Sequence, residues 1–460
     1  MKRKFNSTAK EMIGDLVMPM ALYLRVRQQF DQAFLLESSD HMSKENSLSF
    51  ICFEPLISLV IDKGELSIDN QKIKIENFNA VSVIEELLES IEITGDKTCK
   101  DLNGLFGYTS YEAVQHFETI EFDTNKKEDL IPEIRYDFFR YIIVFDHYHS
   151  MVTLVENCPE GELSNVRAIE SLIHDRSIPQ TDFKLLGEES SDITDDDYKE
   201  MVTKAKQHCQ RGDVFQLVLA RRFKQGYEGD DFNLYRALRS INPSPYLFYY
   251  DYGDYRIFGS SPEAQLKVDG GIAEIHPIAG TFRRTGDAEQ DAILADKLLA
   301  DPKETSEHVM LVDLARNDLS KNTEKVTVKV FKQIQYFSHV IHIVSVVIGR
   351  LLKGKSGFQV YADTFPAGTL SGAPKYKAMQ LIDKYESHSR SIYGGGIGML
   401  KLNGDLNHAI IIRSFLSKDN ILYRQAGAGL VIGSEEEKEM MEVNHKLAAL
   451  KKALTMAENI

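Results

Sequence analysis

The stretch from Gly396 to Ser434, GIGMLKLNGDLNHAIIIRSFLSKDNILYRQAGAGLVIGS, constrains the fold more than any other part of the chain. It reads as a meander of apolar strands joined by short polar connections. The first connection holds Asn403-Gly404, the dipeptide best suited to a tight hairpin, because both residues accept positive φ. The same grammar recurs upstream. RYIIVFDHYHSMVTLVEN (Arg140 to Asn157) predicts a hairpin turned at Tyr148 to Ser150, and SFICFEPLISLVI (Ser49 to Ile61) alternates loosely. DVFQLVLARRF (Asp213 to Phe223), RIFGSSPEAQLKV and AEIHPIAG read as further strands. Long strands joined by hairpins, with helices between other strands, predict an α+β fold: a large, mostly antiparallel sheet with surrounding helices, not a doubly wound parallel sheet.

A chain of 460 residues with 43% hydrophobic content exceeds the roughly 250 to 300 residues at which single cores split, which allows one very large core or two domains. The acidic stretch GEESSDITDDDYKEM (Gly187 to Met201) has few apolar residues and reads as a linker entering a helix at Asp195 to Asp197. The expected division is an N-terminal region at 1–160, a linker at 161–194 and a second domain at 195–455. A formal net charge of -15 argues against a nucleic-acid partner, whose phosphates are met by Lys and Arg. The four cysteines, Cys52, Cys99, Cys158 and Cys209, are widely spaced; they fit neither a zinc site nor a disulfide framework, and a reducing cytoplasm is the expectation. Glu11 and Asp15 interrupt what would be a signal-peptide core. The longest apolar run, Val340 to Ile348, falls short of the roughly 20 residues a membrane helix needs.

Several side chains are candidates for chemistry. Asp301-Pro302 reads as a helix start with Glu304 as capping-box partner, which leaves Glu307 one turn on. Ser434 and Glu437 read as a second capping box, placing Glu439, Glu442 and Lys446 on one helix face. Two helices each offering two carboxylates make a site for a hard cation such as magnesium. On spacing alone, SEEEKEMME is more readily a solvated acidic face and Glu304 a cap. Arg413, within AIIIRSFL, needs an anion, whether a structural carboxylate or a ligand. His342 in HVIHIVSVVIG reads first as a satisfied core histidine, and Glu263 in SSPE as a turn or cap carboxylate.

Five blocks decide among these alternatives: HPIAGT (His276 to Thr281), KETSEH (Lys303 to His308), GTLSGAPK (Gly368 to Lys375), QAGAGL (Gln425 to Leu430) and EMMEVNHK (Glu439 to Lys446). In this order they resemble the chorismate-utilising enzymes, and within them the anthranilate synthase component I family, strongly over 195–455 and weakly before it. The resemblance implies a magnesium ion on Glu307 and Glu442, supported by Glu304 and Glu439. It implies His342 as proton-transfer residue and Glu263 as general acid. A chorismate pocket would be lined by Gly280, Thr281, Tyr393, Arg413, Gly427, Ala428, Gly429 and Lys446. Aminodeoxychorismate synthases resemble this chain but carry lysine in PIKGT, where Ala279 stands here; isochorismate and salicylate synthases carry a lysine base where Gln216 stands. Attack by ammonia needs neither lysine, and Gln216 is kept as a catalytic-site candidate. The family departures are TFRRTG (Thr281 to Gly286) in place of TRPRG, and QLVLA in place of QVVPS. The resemblance further implies a glutamine amidotransferase subunit (component II) as ammonia source, in a heterotetramer. It also implies feedback by L-tryptophan at a site built from FLLES (Glu37, Ser38) and NPSPYL (Pro245, Tyr246, Leu247). The basic residue that some members place after LLES has no counterpart in ENSLSF (Glu45 to Phe50).

Overall fold

The computed structural model describes residues 2–38, 48–73, 78–95, 97–126, 130–336 and 340–460. Its strands pair almost wholly antiparallel, the one parallel pair among the described residues being Arg3–Ile13 with Ile91–Ile93. One ladder runs through the molecule. From Phe183–Ser191 it passes through Gln216–Gly229, Ile421–Leu430, Ser414–Lys418, Tyr255–Ser261, Tyr246–Asp251 and Ala33–Glu37 to Leu48–Asp62. From there it continues through Ile134–Asp146, Gly104–Thr109, Gly396–Lys401, Leu406–Ile410, Ala264–Asp269 and Ile272–Ile275 to Val340–Leu351 and the edge strand Thr323–Tyr336. The mostly antiparallel α+β expectation is met.

The first and second halves of the chain alternate along this ladder, so they share sheet and core. Phe34 stacks on Tyr250 with ring centroids 4.2 Å apart, and Phe106, Phe139 and Ile397 close the same buried cluster. A larger cluster lies under the helices, where Asp195–Arg211 and Glu436–Ala457 cover the sheet.

Local rules explain most boundaries. Thr194 caps the helix Asp195–Arg211 through a reciprocal capping box with Asp197, and Gly212 ends it at φ 79°. The hairpin at Tyr148 to Ser150 joins Ile134–Asp146 to Met151–Pro159 as expected. Three readings are corrected. The stretch taken as linker includes the helix Val166–His174, and its Gly187 to Ser191 portion is the end of a strand paired with Gln216–Gly229; every residue of that portion is exposed, so both faces can be polar. At Asn403-Gly404 only the glycine has positive φ, 88°, because Asn403 Oδ1 accepts the Asp405 N–H and holds a wider loop. The final segment is two hairpins rather than a continuous meander. Leu406–Ile410 pairs with Ala264–Asp269, while Ser414–Lys418 pairs with Tyr255–Ser261.

Candidate active site

The change of sheet partner between these two hairpins locates the site. The chain passes from one arm of the ladder to the other twice at the same level, at Pro262-Glu263 and at Ile411 to Arg413. Backbone bonds lock the crossings together: Ile410 N–H to Glu263 O at 3.0 Å and Ser260 N–H to Arg413 O at 3.1 Å. Arg413 takes the left-handed conformation, φ 51°, uncommon and costly outside glycine. A small cavity beside this crossing is lined by Glu263, Ala264, Thr369 and Ile410.

Glu263 Oε1 accepts a hydrogen bond from Thr369 Oγ1 at 3.1 Å. Burial pushes its carboxyl up to about 7, against the opposing pull of Thr369, Arg413 and Lys446. A carboxyl still protonated near neutrality suits a general acid. Arg413 makes no ion pair with any described residue; burial lowers its pKa, and Glu263 is the nearest charge acting against that shift. A half-buried guanidinium requires an anion, and Glu263 is the carboxylate that acts on it most strongly without forming an ion pair.

His342 is buried in Val340–Leu351, opposite Thr281. Its Nδ1 lies 2.8 Å from Gly280 O, and since a carbonyl only accepts, Nδ1 carries the proton and Nε2 the lone pair. Burial lowers its pKa to about 4, so the ring is a neutral base at pH 7. Gly280 forms a bulge between Ala279 and Thr281 with φ 68°, and a Cβ there would lie 2.9 Å from Leu298 Cδ1 and 3.2 Å from Glu304 Oε2. Glycine is required for both reasons.

The four carboxylates converge from two helix starts. Asp301 caps Pro302–Ser320 through the Lys303 and Glu304 N–H groups. Glu304 does not complete the expected box; its carboxylate points toward Gly280 instead. The second box is also absent. The helix Glu436–Ala457 has no side-chain cap, and the Ser434 hydroxyl accepts the Val431 N–H and bonds to Glu439. Burial raises Glu304, Glu307 and Glu439, and Glu442 adds its repulsion to all three. Among the described residues no three His, Cys, Asp or Glu enclose a metal by themselves. Magnesium asks for less, one or two carboxylates with waters and ligand oxygens completing the shell, and a repelling set left short of a cage fits that demand.

QAGAGL forms the end of the strand Ile421–Leu430: Gly427, Ala428 and Gly429 pair with Ala220, Leu219 and Val218. Among the described residues no strand pairs its other edge beyond Tyr423, and side chains meet Gly427 there instead. Lys446 Nζ donates to Gly427 O at 2.8 Å and lies 2.8 Å from Glu442 Oε1, which confirms the predicted helix face. Tyr393, raised to about 12 chiefly by burial, hydrogen-bonds the Gly427 backbone. Gln216 lies against Gly429, its Nε2 2.5 Å from where a Cβ would stand, and its buried Oε1 has no hydrogen-bond partner among the described residues. Ala279 sits beside the bulge, paired with Ile343. Arg284 is held by Asp291 at 2.8 Å, which makes it a helix anchor.

The two halves of the expected amino-acid site are neighbours, with Glu37 directly opposite Leu247 in adjacent strands. The Glu37 carboxylate is already taken, however, by Arg239 Nε at 3.0 Å and Tyr235 OH at 2.9 Å. It is not open to a ligand ammonium. Tyr246 bonds Asn407 Oδ1 at 3.2 Å, Pro245 precedes it, and Ser38 follows the strand. Residues 45–47 of ENSLSF lie outside the described residues. Sequence reasoning missed Thr369, although its block GTLSGAPK had been noticed; a hydroxyl inside a glycine-rich block was the available signal.

Glu263, His342 and Arg413, which has no ion pair among the described residues, lie within electrostatic reach of one another, and Lys446 links them to the carboxylate cluster. The chain belongs to the family described as chorismate binding enzyme, which matches residues 31–452. It is 36% identical to anthranilate synthase component 1 of Acetivibrio thermocellus, over 98% of this chain and 95% of that protein. It is 35% identical to the same component of Aquifex aeolicus (strain VF5), over 97% and 94%. Anthranilate synthase component I from Streptococcus pneumoniae TIGR4 matches in structure with a TM-score of 0.77 at 32% identity, over 88% of this chain and 92% of that one. MenF, the menaquinone-specific isochorismate synthase from Escherichia coli, reaches 0.75 at 19% identity, over 98% and 95%, a likeness of fold alone.

Proposed function

We propose that the chain acts as an anthranilate synthase component I, converting chorismate and ammonia to anthranilate and pyruvate, the first committed step of L-tryptophan biosynthesis. The observation that carries this reading is the absence of a basic side chain at both nucleophile positions, Ala279 beside the His342 strand and Gln216 against Gly429. Neither can attack the ring or deprotonate water, so the nucleophile comes from outside. Arg413 grips one carboxylate of chorismate through its planar fork, and the strand edge at Gly427 to Gly429, with Tyr393 and Lys446, holds the other. Glu263 protonates the departing ring hydroxyl as ammonia adds, the carbon-oxygen bond breaking as the carbon-nitrogen bond forms; ammonia's surplus proton restores the acid. His342 Nε2 then accepts the ring proton as the bond from the ring to the enolpyruvyl oxygen breaks and the ring becomes aromatic, and the proton is returned to the methylene carbon of the released enolate, giving pyruvate.

Glu307 and Glu442 would hold magnesium, with Glu304 and Glu439 supporting, and the ion when bound supplies charge neutralisation at the ring carboxylate. Ammonia is supplied by a separate glutamine amidotransferase subunit. In support, Cys52, Cys99 and Cys158 are buried and Cys209 half-buried, and burial raises the Cys52, Cys158 and Cys209 thiols, the opposite of an activated nucleophile. L-Tryptophan is the proposed inhibitor, bound between Ser38 and the Pro245 to Leu247 segment, with the Ser38 hydroxyl and backbone as ammonium acceptors. A cytoplasmic setting suits the free thiols, and among the described residues no helix is long and apolar enough to cross a membrane.

The test is to incubate the pure protein with chorismate, magnesium and ammonium and identify the products. Anthranilate with stoichiometric pyruvate supports the reading. Isochorismate or aminodeoxychorismate would transfer the chain to another branch of the family, and tryptophan binding without turnover would make it a catalytically silent regulatory protein.

A further inference from the structure

Arg390 lies outside every motif read for chemistry, yet it is 1% exposed and its side chain reaches three walls of the site. Nε and Nη2 hold Glu386 as a fork, at 2.9 and 2.5 Å. Nη1 donates to Leu370 O at 2.6 Å and Nη2 to Val218 O at 2.9 Å. Leu370 follows Thr369, the residue that holds Glu263. Val218 belongs to the strand that pairs with Gly427 to Gly429, and the neighbouring Ala220 N–H is taken by Glu386 Oε1 at 2.8 Å. The third wall is Tyr393, whose ring centroid lies 5.5 Å from the guanidinium carbon and whose N–H bonds Arg390 O at 3.1 Å.

The other side of the cradle comes from the first half of the chain. The Tyr111 ring lies 4.7 Å from the guanidinium carbon. Glu112 Oε1 accepts the Arg390 N–H at 2.7 Å, and the Tyr111 N–H bonds Ser391 O at 2.9 Å. The short segment Tyr111–His116 therefore presses the Arg390 loop toward the site.

We propose that Arg390 is the positioning residue of the active site, one guanidinium that sets Tyr393, the Thr369–Glu263 pair and the glycine strand relative to one another, with Tyr111 and Glu112 completing its cradle. A buried fork bound at both ends has one geometry, and lysine, a single point charge on a flexible stem, cannot reproduce it. The proposal rests on the catalytic reading for its kinetic consequences, though not for its geometry.

The experiment uses Arg390→Lys, Glu112→Gln and Tyr393→Phe in the full chain. Arg390→Lys is expected to raise the chorismate KM roughly tenfold with a smaller change in kcat, the pattern of lost binding alignment. In a Tyr393→Phe background that increment is expected to shrink to less than half, because the two residues act as one unit. Glu112→Gln keeps the shape and one acceptor oxygen but removes the charge; measured above pH 8, where the carboxyl that burial pushes up to about 7 is ionised, it is expected to raise KM about threefold and to speed hydrogen–deuterium exchange in residues 390–396. The exchange measurement needs no substrate, and it decides the proposal even where Arg390→Lys fails to fold or the parent fails to turn over chorismate, which would count against the catalytic reading alone. Additive effects of Arg390→Lys and Tyr393→Phe, or unchanged exchange in Glu112→Gln, would overturn it.

Discussion

Glu263→Gln should make the protein more stable and the enzyme worse, and the stability gain should depend on pH in a defined window. The carboxyl moves from an ordinary 4.5 to about 7 because the folded state buries it. Between those values the folded protein keeps a proton that the unfolded chain releases, so stability falls as pH rises through the window and is level above it. At 1.36 kcal/mol per pKa step the loss by pH 8 is about 3 kcal/mol, an order-of-magnitude figure. Glutamine has the same shape and no charge to bury. The variant should thus match the parent at pH 4.5 and exceed it at pH 8 by up to about 3 kcal/mol, read as a melting-temperature difference that grows with pH. Turnover should fall by roughly 10²- to 10⁴-fold, the usual contribution of a general acid. In the parent, kcat/KM at fixed free ammonia should decline above pH 7 as Glu263 loses its proton. A melting difference that is flat with pH, or a variant less stable than the parent at pH 8, would refute the claim that burial holds this carboxyl neutral.

The other expectations concern separate parts of the site. Glu307→Gln and Glu442→Gln should each weaken magnesium binding by at least roughly 10- to 100-fold in calorimetry while the fold survives, and without metal Glu307→Gln should melt higher because it relieves repulsion within the carboxylate set; normal magnesium titration would remove that residue from the site. Gly280→Ala should cost roughly 1–2 kcal/mol from positive φ alone, with further loss of activity as the added carbon pushes on Leu298 and Glu304; a melting curve and activity like the parent's would show that the bulge tolerates a side chain. Ser38→Phe should abolish tryptophan inhibition while leaving the chorismate KM in the absence of tryptophan within about twofold; an unchanged inhibition curve would move the regulatory site elsewhere.

What the sequence determined by itself was local. Apolar alternation and hairpin dipeptides give antiparallel strands, Asp301-Pro302 gives a capped helix start, and helical spacing puts Glu439, Glu442 and Lys446 on one face. Each follows from interactions within a few residues, which is why each is readable from the string. Tertiary structure decided what these elements meet. The sequence could not say whether QAGAGL turns or extends, because glycine permits both; pairing with Gln216–Gly229 selects the strand. Nor could it show that Glu37 is spent on Arg239, about two hundred positions away in the chain, or that Glu304 and Ser434 forgo their boxes for longer-range contacts. Arg390 was invisible for the same reason, since its meaning lies in carbonyls of Val218 and Leu370 and in a carboxylate of the other half. Burial and charge pairing, the terms that set Glu263 near 7 and His342 near 4, exist only once distant segments have packed, so sequence supplied the reactive groups and the fold supplied their protonation states.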